Sequence, residues 1–435
     1  KLGHISNADS IPALIDINKL VTRHSAVVGT TGSGKSTTVA SIINALSESD
    51  RYPSSRIIML DLHGEYGHAL KDKAHIYKIN SDTTSKLKEK ELHIPFWALN
   101  FDELCEISFG EFNNEKDKNI VLERVQKYKN DSLAKYPRKG ASTDALSVDS
   151  PIPFSIHELW HELFIETFGT YYKGKGGKPI DNLAYEIDAN GNELKGNSME
   201  GIPPVFKNVV TDAGEEKINY LPGSFASLGK QVSLLGTKLR IPRYDFIFKP
   251  NANAWMPDAD GKVAQDLDCL LKNWIGSDKP VTILDLSGVP PDILQTTIGA
   301  LLRMLYEALF WARNLSQGGR HRPLLVVMEE AHIYLNDDFK GMASKVVQRI
   351  VKEGRKYGIG AMIVSQRPSE INPTILSQCG TFFALRLTNA SDRNHITSAL
   401  SDNLDGLTSM LPILRTGEAI ILGEAVKLPM RTTIE

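Results

Sequence analysis

The stretch Gly29-Thr-Thr-Gly-Ser-Gly-Lys-Ser36 constrains this chain more than any other. It follows the apolar run Ser25–Val28 and precedes Val39, Ile42, Ile43 and Leu46 at helical spacing. Strand, glycine-rich turn and helix in that order give the pattern GxxxxGK(S/T) the context it needs. Glycines let backbone N–H groups turn in around phosphate oxygens, and the positive end of the helix faces the same anion. Gly29, Thr30, Thr31, Gly32, Ser33, Gly34, Lys35, Ser36 and Thr37 are therefore expected to cradle a nucleoside triphosphate. Lys35 brings a point charge to the β- and γ-phosphates, and the Ser36 hydroxyl is placed to ligate Mg²⁺.

Such a loop is usually one edge of an α/β sheet, and the rest of the chain supplies that sheet in two blocks. "RIIMLDLHGEY" follows the first helix; "PVTILDLSG", a long helical pattern from Pro291 to Leu315, "PLLVVMEEAH", "GAMIVSQRP" and "GTFFALRLT" come later. Near-continuous apolar strands separated by helices predict a mainly parallel sheet covered by helices on both faces. The C-terminal "GEAIILGEAVKLPMRTTI" reads as a hairpin turning near Gly423–Glu424. Between the blocks the pattern changes to charged helix and Gly/Asn/Lys-rich loop. The expected division is 1–99 and 280–435 as the two parts of the core, with 100–279 inserted as a partly helical subdomain.

Composition narrows the class. The 435 residues carry 41% hydrophobic and 23% charged side chains with a net charge of −2, as in an ordinary soluble protein. A near-zero balance argues against a surface coated in basic residues, though not against a local basic channel. Cys105, Cys269 and Cys379 are scattered and form no CxxC pair, so neither a disulfide framework nor a zinc site is suggested, and a reducing cytoplasm fits. His4, His63 and His332 lack metal-ligand spacing, which leaves structural hydrogen bonding as their expected role. No apolar run reaches the roughly 20 residues that span a bilayer, so no membrane partner is expected.

A P-loop needs an acid at the end of a neighbouring strand. Asp61, Asp285 and the pair Glu329–Glu330 all end apolar runs. The doubled carboxylate suits the task best, with Glu329 organising the metal and Glu330 polarising the attacking water; Asp285 is read as a strand-end turn cap. "DLHG" at Asp61–Gly64 fits a GTPase element, but the chain has no NKxD guanine-reading motif. "LSQGGRHRP" before Leu324 lacks the order of an ABC signature, and a small-molecule kinase rarely carries so long an insertion.

The blocks "LGHISN", "HSAVVGTTGSGKS", "LDLHGEY", "VVMEEAHIYL", "KEGRKYGIGAMIVSQRPSEI" and "ALRLTNASDRNHI" together resemble the HerA family of hexameric DNA translocases, in the HerA–FtsK branch of RecA-like P-loop ATPases. The resemblance implies ATP and Mg²⁺ as cofactors, Lys35 and Ser36 as their ligands, and Glu330 as the residue that activates water. It implies that Asp61 supports the site, that Gln366 senses the γ-phosphate, and that Arg355 is an arginine finger offered to the neighbouring subunit. Such a finger is worth roughly 10³–10⁵ in rate; Arg367, Arg386 and Arg393 compete for the role. Double-stranded DNA, a homohexameric ring and a nuclease or NADase-type effector are the implied partners, in DNA end resection or antiphage defence. An ATP-stabilised ring that scaffolds an effector is the alternative, and a secretion or conjugation ATPase a third reading.

An N-terminal β-barrel is also usual in that family. Residues before Ser25 are too few to make one, so it is expected to be absent from this chain or to lie in a portion preceding Lys1. DNA contacts are less legible. Lys345, Arg349, Lys352 and Lys356 fall on one helical face, and "YYKGKGGK" at Tyr171–Lys178 mixes aromatics with lysines as a phosphate-gripping loop would.

Overall fold

Ile57–Asp61, Val281–Asp285 and Leu324–Met328 are apolar on both faces, apart from Thr282 and the terminal Asp61 and Asp285, and buried along their whole lengths, which a sheet covered on both faces requires. The computed structural model describes residues 1–6, 8–82, 84–173, 183–210, 217–221, 225–336, 341–399 and 405–435. It divides into two compact units, Lys1–Leu92 with Asp268–Glu435, and His93–Leu267.

In chain order the strands are β1 (Gly3–Ile5), β2 (Ala8–Ala13), β3 (His24–Val28), β4 (Ile57–Asp61), β5 (Ala74–Lys78), β6 (Lys90–Glu91), β7 (Thr170–Lys173) and β8 (Lys217–Tyr220). They continue with β9 (Val281–Asp285), β10 (Leu324–Met328), β11 (Ile359–Ser365), β12 (Cys379–Ala384), β13 (Glu418–Gly423) and β14 (Met430–Ile434). The first unit holds a 12-stranded sheet in the order β2-β1-β14-β13-β12-β3-β11-β10-β4-β9-β5-β6. From β12 to β6 every pairing is parallel. From β2 to β12 every pairing is antiparallel, and there the C-terminal hairpin, β13 and β14, carries β1 and β2 at its outer edge.

Alternation along the strands fills both faces. Val27, Met59, Val327 and Val364 meet Val39, Ile42, Ile43 and Leu46 from the helix Lys35–Leu46 in one core cluster. Ile58, Leu60, Val326 and Met328 point the other way and are also fully buried. The helix Met342–Glu353 packs on β11 and on Leu294–Trp311. At that crossing Gly299 is required, since a Cβ would lie 2.9 Å from the Ala343 nitrogen. Among the described residues no helix is long and apolar enough to cross a membrane.

The second unit is built on the helices Glu115–Lys135, Ile156–Phe168 and Gly229–Arg240, with β7 and β8 as a separate antiparallel pair. Its limits differ from those expected. Residues 93–99 belong to it because Ile94, Phe96 and Trp97 are fully buried there, with the Trp97 indole donating to the Trp255 carbonyl at 2.9 Å. At the far end, nearly all of the helix Leu267–Ile275 belongs to the first unit. Thr282 Oγ1 donates to the Trp274 carbonyl at 2.6 Å, and Arg56 Nη1 donates to that of Ile275 at 3.3 Å. Apolar anchors and long-range hydrogen bonds set these limits, and neither shows as a change in composition.

Candidate functional site

The strand order places four C-terminal ends side by side: Gly29 after β3, Gln366 after β11, Glu329–Glu330 after β10, and Asp61 ending β4. Ligand sites of open α/β sheets form at such ends.

The glycine loop is held in shape from outside. Thr30 N and Oγ1 donate to the Arg386 carbonyl at 2.9 and 3.0 Å, and Gly417 N donates to the Ser33 carbonyl at 3.0 Å. Gly32 and Gly34 take left-handed φ values of 72° and 98°, the alternation that turns successive N–H groups toward one point. The first-turn N–H groups of the helix Lys35–Leu46 have no intrahelical acceptor and face the same place. Lys35 is buried. Desolvation lowers its pKa, and the charge of Glu330 is the largest of those that pull it back up. A buried ammonium among carboxylates and free N–H groups suits a phosphate chain.

Glu330 sits in the left-handed region at φ 44° and ψ 43°, which costs a non-glycine residue about 1–2 kcal/mol. Strain of this kind gathers at functional sites. Its Oε1 accepts from Gln366 Nε2, and Gln366 Oε1 accepts from Thr31 Oγ1. Gln366 thus ties the phosphate loop to the acid across a single strand. Glu330 Oε2 is buried without an aligned hydrogen-bond donor; His332 Nδ1 lies 3.2 Å from it. Burial lowers the His332 pKa despite Glu330, so the ring is neutral near pH 7.

Glu329 and Asp61 are buried together. Asp61 Oδ1 accepts from the backbone N–H groups of His63, Gly64 and Glu65 at 3.3, 2.8 and 3.3 Å, and Oδ2 from Tyr66 at 3.1 Å. Glu329 Oε2 accepts from Leu62 N at 3.2 Å. Burial, then the charge of Asp61 and a hydrogen bond to it, push the Glu329 carboxyl up to about 9. Since Asp61 already accepts N–H bonds on both oxygens, the proton of this pair resides on Glu329.

The acid that touches the phosphate loop's serine is Glu65, which the sequence did not single out: Ser36 Oγ donates to Glu65 Oε2 at 3.1 Å. Ser36 and the carboxylates beside it are hard oxygen donors, the set that Mg²⁺ prefers. Among the described residues no group of three or more His, Cys, Asp or Glu is arranged to hold a metal alone. Phosphate and water oxygens would supply the remaining ligands.

The other expected residues lie elsewhere. Arg355 is exposed before the N-terminal end of β11, whereas Gln366 follows its C-terminal end. It is not brought to its own chain's phosphate loop. Arg386 is, with Nη2 3.5 Å from the Gly32 carbonyl. Arg367 pairs with Glu370 at 2.7 Å, and Arg393 donates to the Thr388 carbonyl at 2.6 Å. Asp285 caps its turn, accepting from Ser287 N at 3.0 Å and pairing with Lys78 at 3.2 Å. Lys345, Arg349, Lys352 and Lys356 are all exposed; no acid pairs with Lys345, Lys352 or Lys356 among the described residues. Tyr171 and Tyr172 lie in β7, while 174–178 fall outside the described residues.

A phosphate cradle facing a buried acid across one strand of a parallel sheet makes this chain a P-loop ATPase. Its residues 1–235 match the family model for the central domain of helicase HerA, and 285–423 that for the HerA-like helicase C-terminal region. The chain belongs to the HerA helicase family.

It is 26% identical over 461 residues to the probable DNA double-strand break repair helicase HerA of Methanocaldococcus jannaschii, covering 100% of this chain and 76% of that protein. It is 26% identical over 438 residues to the DNA double-strand break repair helicase HerA of Pyrococcus furiosus, covering 99% and 68%. Two other M. jannaschii relatives, both probable helicases, are spanned to 65% and 70% of their lengths. In fold the chain is similar to VirB4 of Thermoanaerobacter pseudethanolicus, with a TM-score of 0.57 at 11% identity, covering 100% of this chain and 96% of that one.

Proposed function

We propose that the chain is an ATP-driven translocase or helicase acting on double-stranded DNA, working as a homohexameric ring with a nuclease or other effector partner. The observation that carries the reading is the Thr31–Gln366–Glu330 bridge, which links occupancy of the phosphate loop to the position of the acid. The family supports DNA as the track, since the M. jannaschii and P. furiosus HerA relatives are named as DNA double-strand break repair helicases.

In this reading Lys35 and the N–H groups of 29–37 bind the triphosphate. Glu330, held at Oε1 by Gln366, keeps a buried Oε2 open to take the proton of the attacking water. Mg²⁺, when bound at Ser36, neutralises phosphate charge. Asp61 and Glu329 hold the 62–66 turn against the site. Arg355, exposed and remote from its own loop, is offered to the next subunit. Exposed Lys345, Arg349 and Lys352 on the helix Met342–Glu353, with Lys356 in the turn that follows, give a ring a basic track or a seam between subunits.

The test is ATPase rate with and without duplex DNA, in wild type and Glu330→Gln. DNA stimulation in wild type and loss of turnover in the variant are expected. A rate indifferent to DNA, with a variant that keeps full biological activity, favours the effector scaffold instead.

A further inference from the structure

Two acids compete to support Ser36, and the geometry assigns the role to Glu65: it is the residue that positions the Ser36 hydroxyl for a divalent cation, while Glu329 serves to position the turn that carries Glu65. This rests on the nucleotide site proposed above.

Ser36 Oγ has one proton and two lone pairs. For the oxygen to face a cation, the proton must point away, toward an acceptor. In the structure that acceptor is Glu65 Oε2 at 3.1 Å. Giving the proton to a carboxylate also makes the hydroxyl oxygen a better donor to a metal. Glu329 is not free to do this, because its carboxyl is engaged with Asp61 and with Leu62 N.

The turn is built to deliver Glu65. Asp61 gathers the N–H groups of residues 63 to 66 with both oxygens, which fixes the backbone from Leu62 to Tyr66. Gly64 takes φ 70°, and a Cβ there would come within 2.9 Å of Asp285 Oδ2. Tyr66, 1% exposed, packs the end of the turn into the core. The Glu65 charge is also felt at Lys35.

The measurement is the affinity for a fluorescent, non-hydrolysable ATP analogue, with Mg²⁺ and with EDTA, in wild type, Ser36→Ala, Glu65→Gln and Glu329→Gln. Glu65 is exposed and the substitution isosteric, so folding is spared. Expected is an Mg²⁺-dependent gain in wild type that falls about 10–100-fold in Glu65→Gln, the range for losing a partner of a metal ligand. Affinity in EDTA is not lowered, since loss of the carboxylate charge removes repulsion from the phosphates, and Glu329→Gln keeps most of the gain. A gain preserved in Glu65→Gln but lost in Ser36→Ala overturns the assignment alone, as does a gain lost in Glu329→Gln and not in Glu65→Gln. No analogue binding in wild type, or binding that Lys35→Ala does not weaken, removes the nucleotide site itself.

Discussion

Replacing Glu329 by Gln should make the nucleotide-free protein less sensitive to alkaline pH. Burial and the neighbouring Asp61 raise the Glu329 carboxyl from 4.5 to about 9. Between those values the folded chain holds a proton that the unfolded chain has released. The stability this contributes is therefore full below pH 4.5 and is lost as the pH rises through about 9. One proton of difference corresponds to about 1.4 kcal/mol per pH unit, so about 3 kcal/mol disappears between pH 6 and pH 8. Gln keeps both contacts, because its carbonyl can accept from Leu62 N and its amide can donate to Asp61, but it has no proton to lose. Urea unfolding at pH 6, 7 and 8, without nucleotide or Mg²⁺, measures the difference between variant and wild type, in which the other titrating groups cancel. The variant should gain about 3 kcal/mol on wild type across that range. Parallel pH dependences would show that Glu329 is ionised at neutral pH and refute the protonated pair.

Gly64→Ala should destabilise the first unit by about 1–3 kcal/mol, because it combines φ 70° with the close approach to Asp285; urea unfolding reads it. His332→Leu should lower kcat about tenfold or more with KM little changed, by removing the nitrogen 3.2 Å from Glu330 Oε2, and His332→Asn should restore part of the rate. Mixing Arg355→Ala with Lys35→Ala subunits should restore some ATPase activity if the arginine acts across a subunit boundary. Activity no higher than that of the separate variants counts against it.

The phosphate loop was legible because everything it needs is local: glycines, one lysine, one serine, and a strand and helix on either side. Glu329–Glu330 and Gln366 were legible as residues just past apolar strands, though their shared chemistry needed the order β3-β11-β10-β4, which no single segment encodes. Glu65 was missed because its position depends on Asp61 turning back to collect the N–H groups of 63–66. The visible signal was the glycine one residue before it, at a place where only a left-handed backbone closes the turn. His332 has the structural contact expected of it, Nδ1 to Ser365 Oγ at 3.3 Å, while its place beside Glu330 depends on the left-handed backbone at Glu330, which no local pattern shows. The props at Arg386 and Gly417 reach the phosphate loop from more than 350 residues away in sequence, beyond any local pattern.

Movement along DNA is the central claim, and displacement of a triplex-forming strand from duplex DNA measures it most directly. Wild type with ATP should strip the third strand, and Glu330→Gln should bind nucleotide yet leave it in place. Displacement by Glu330→Gln at the wild-type rate, or none by a wild-type protein that hydrolyses ATP on the same DNA, would contradict the account.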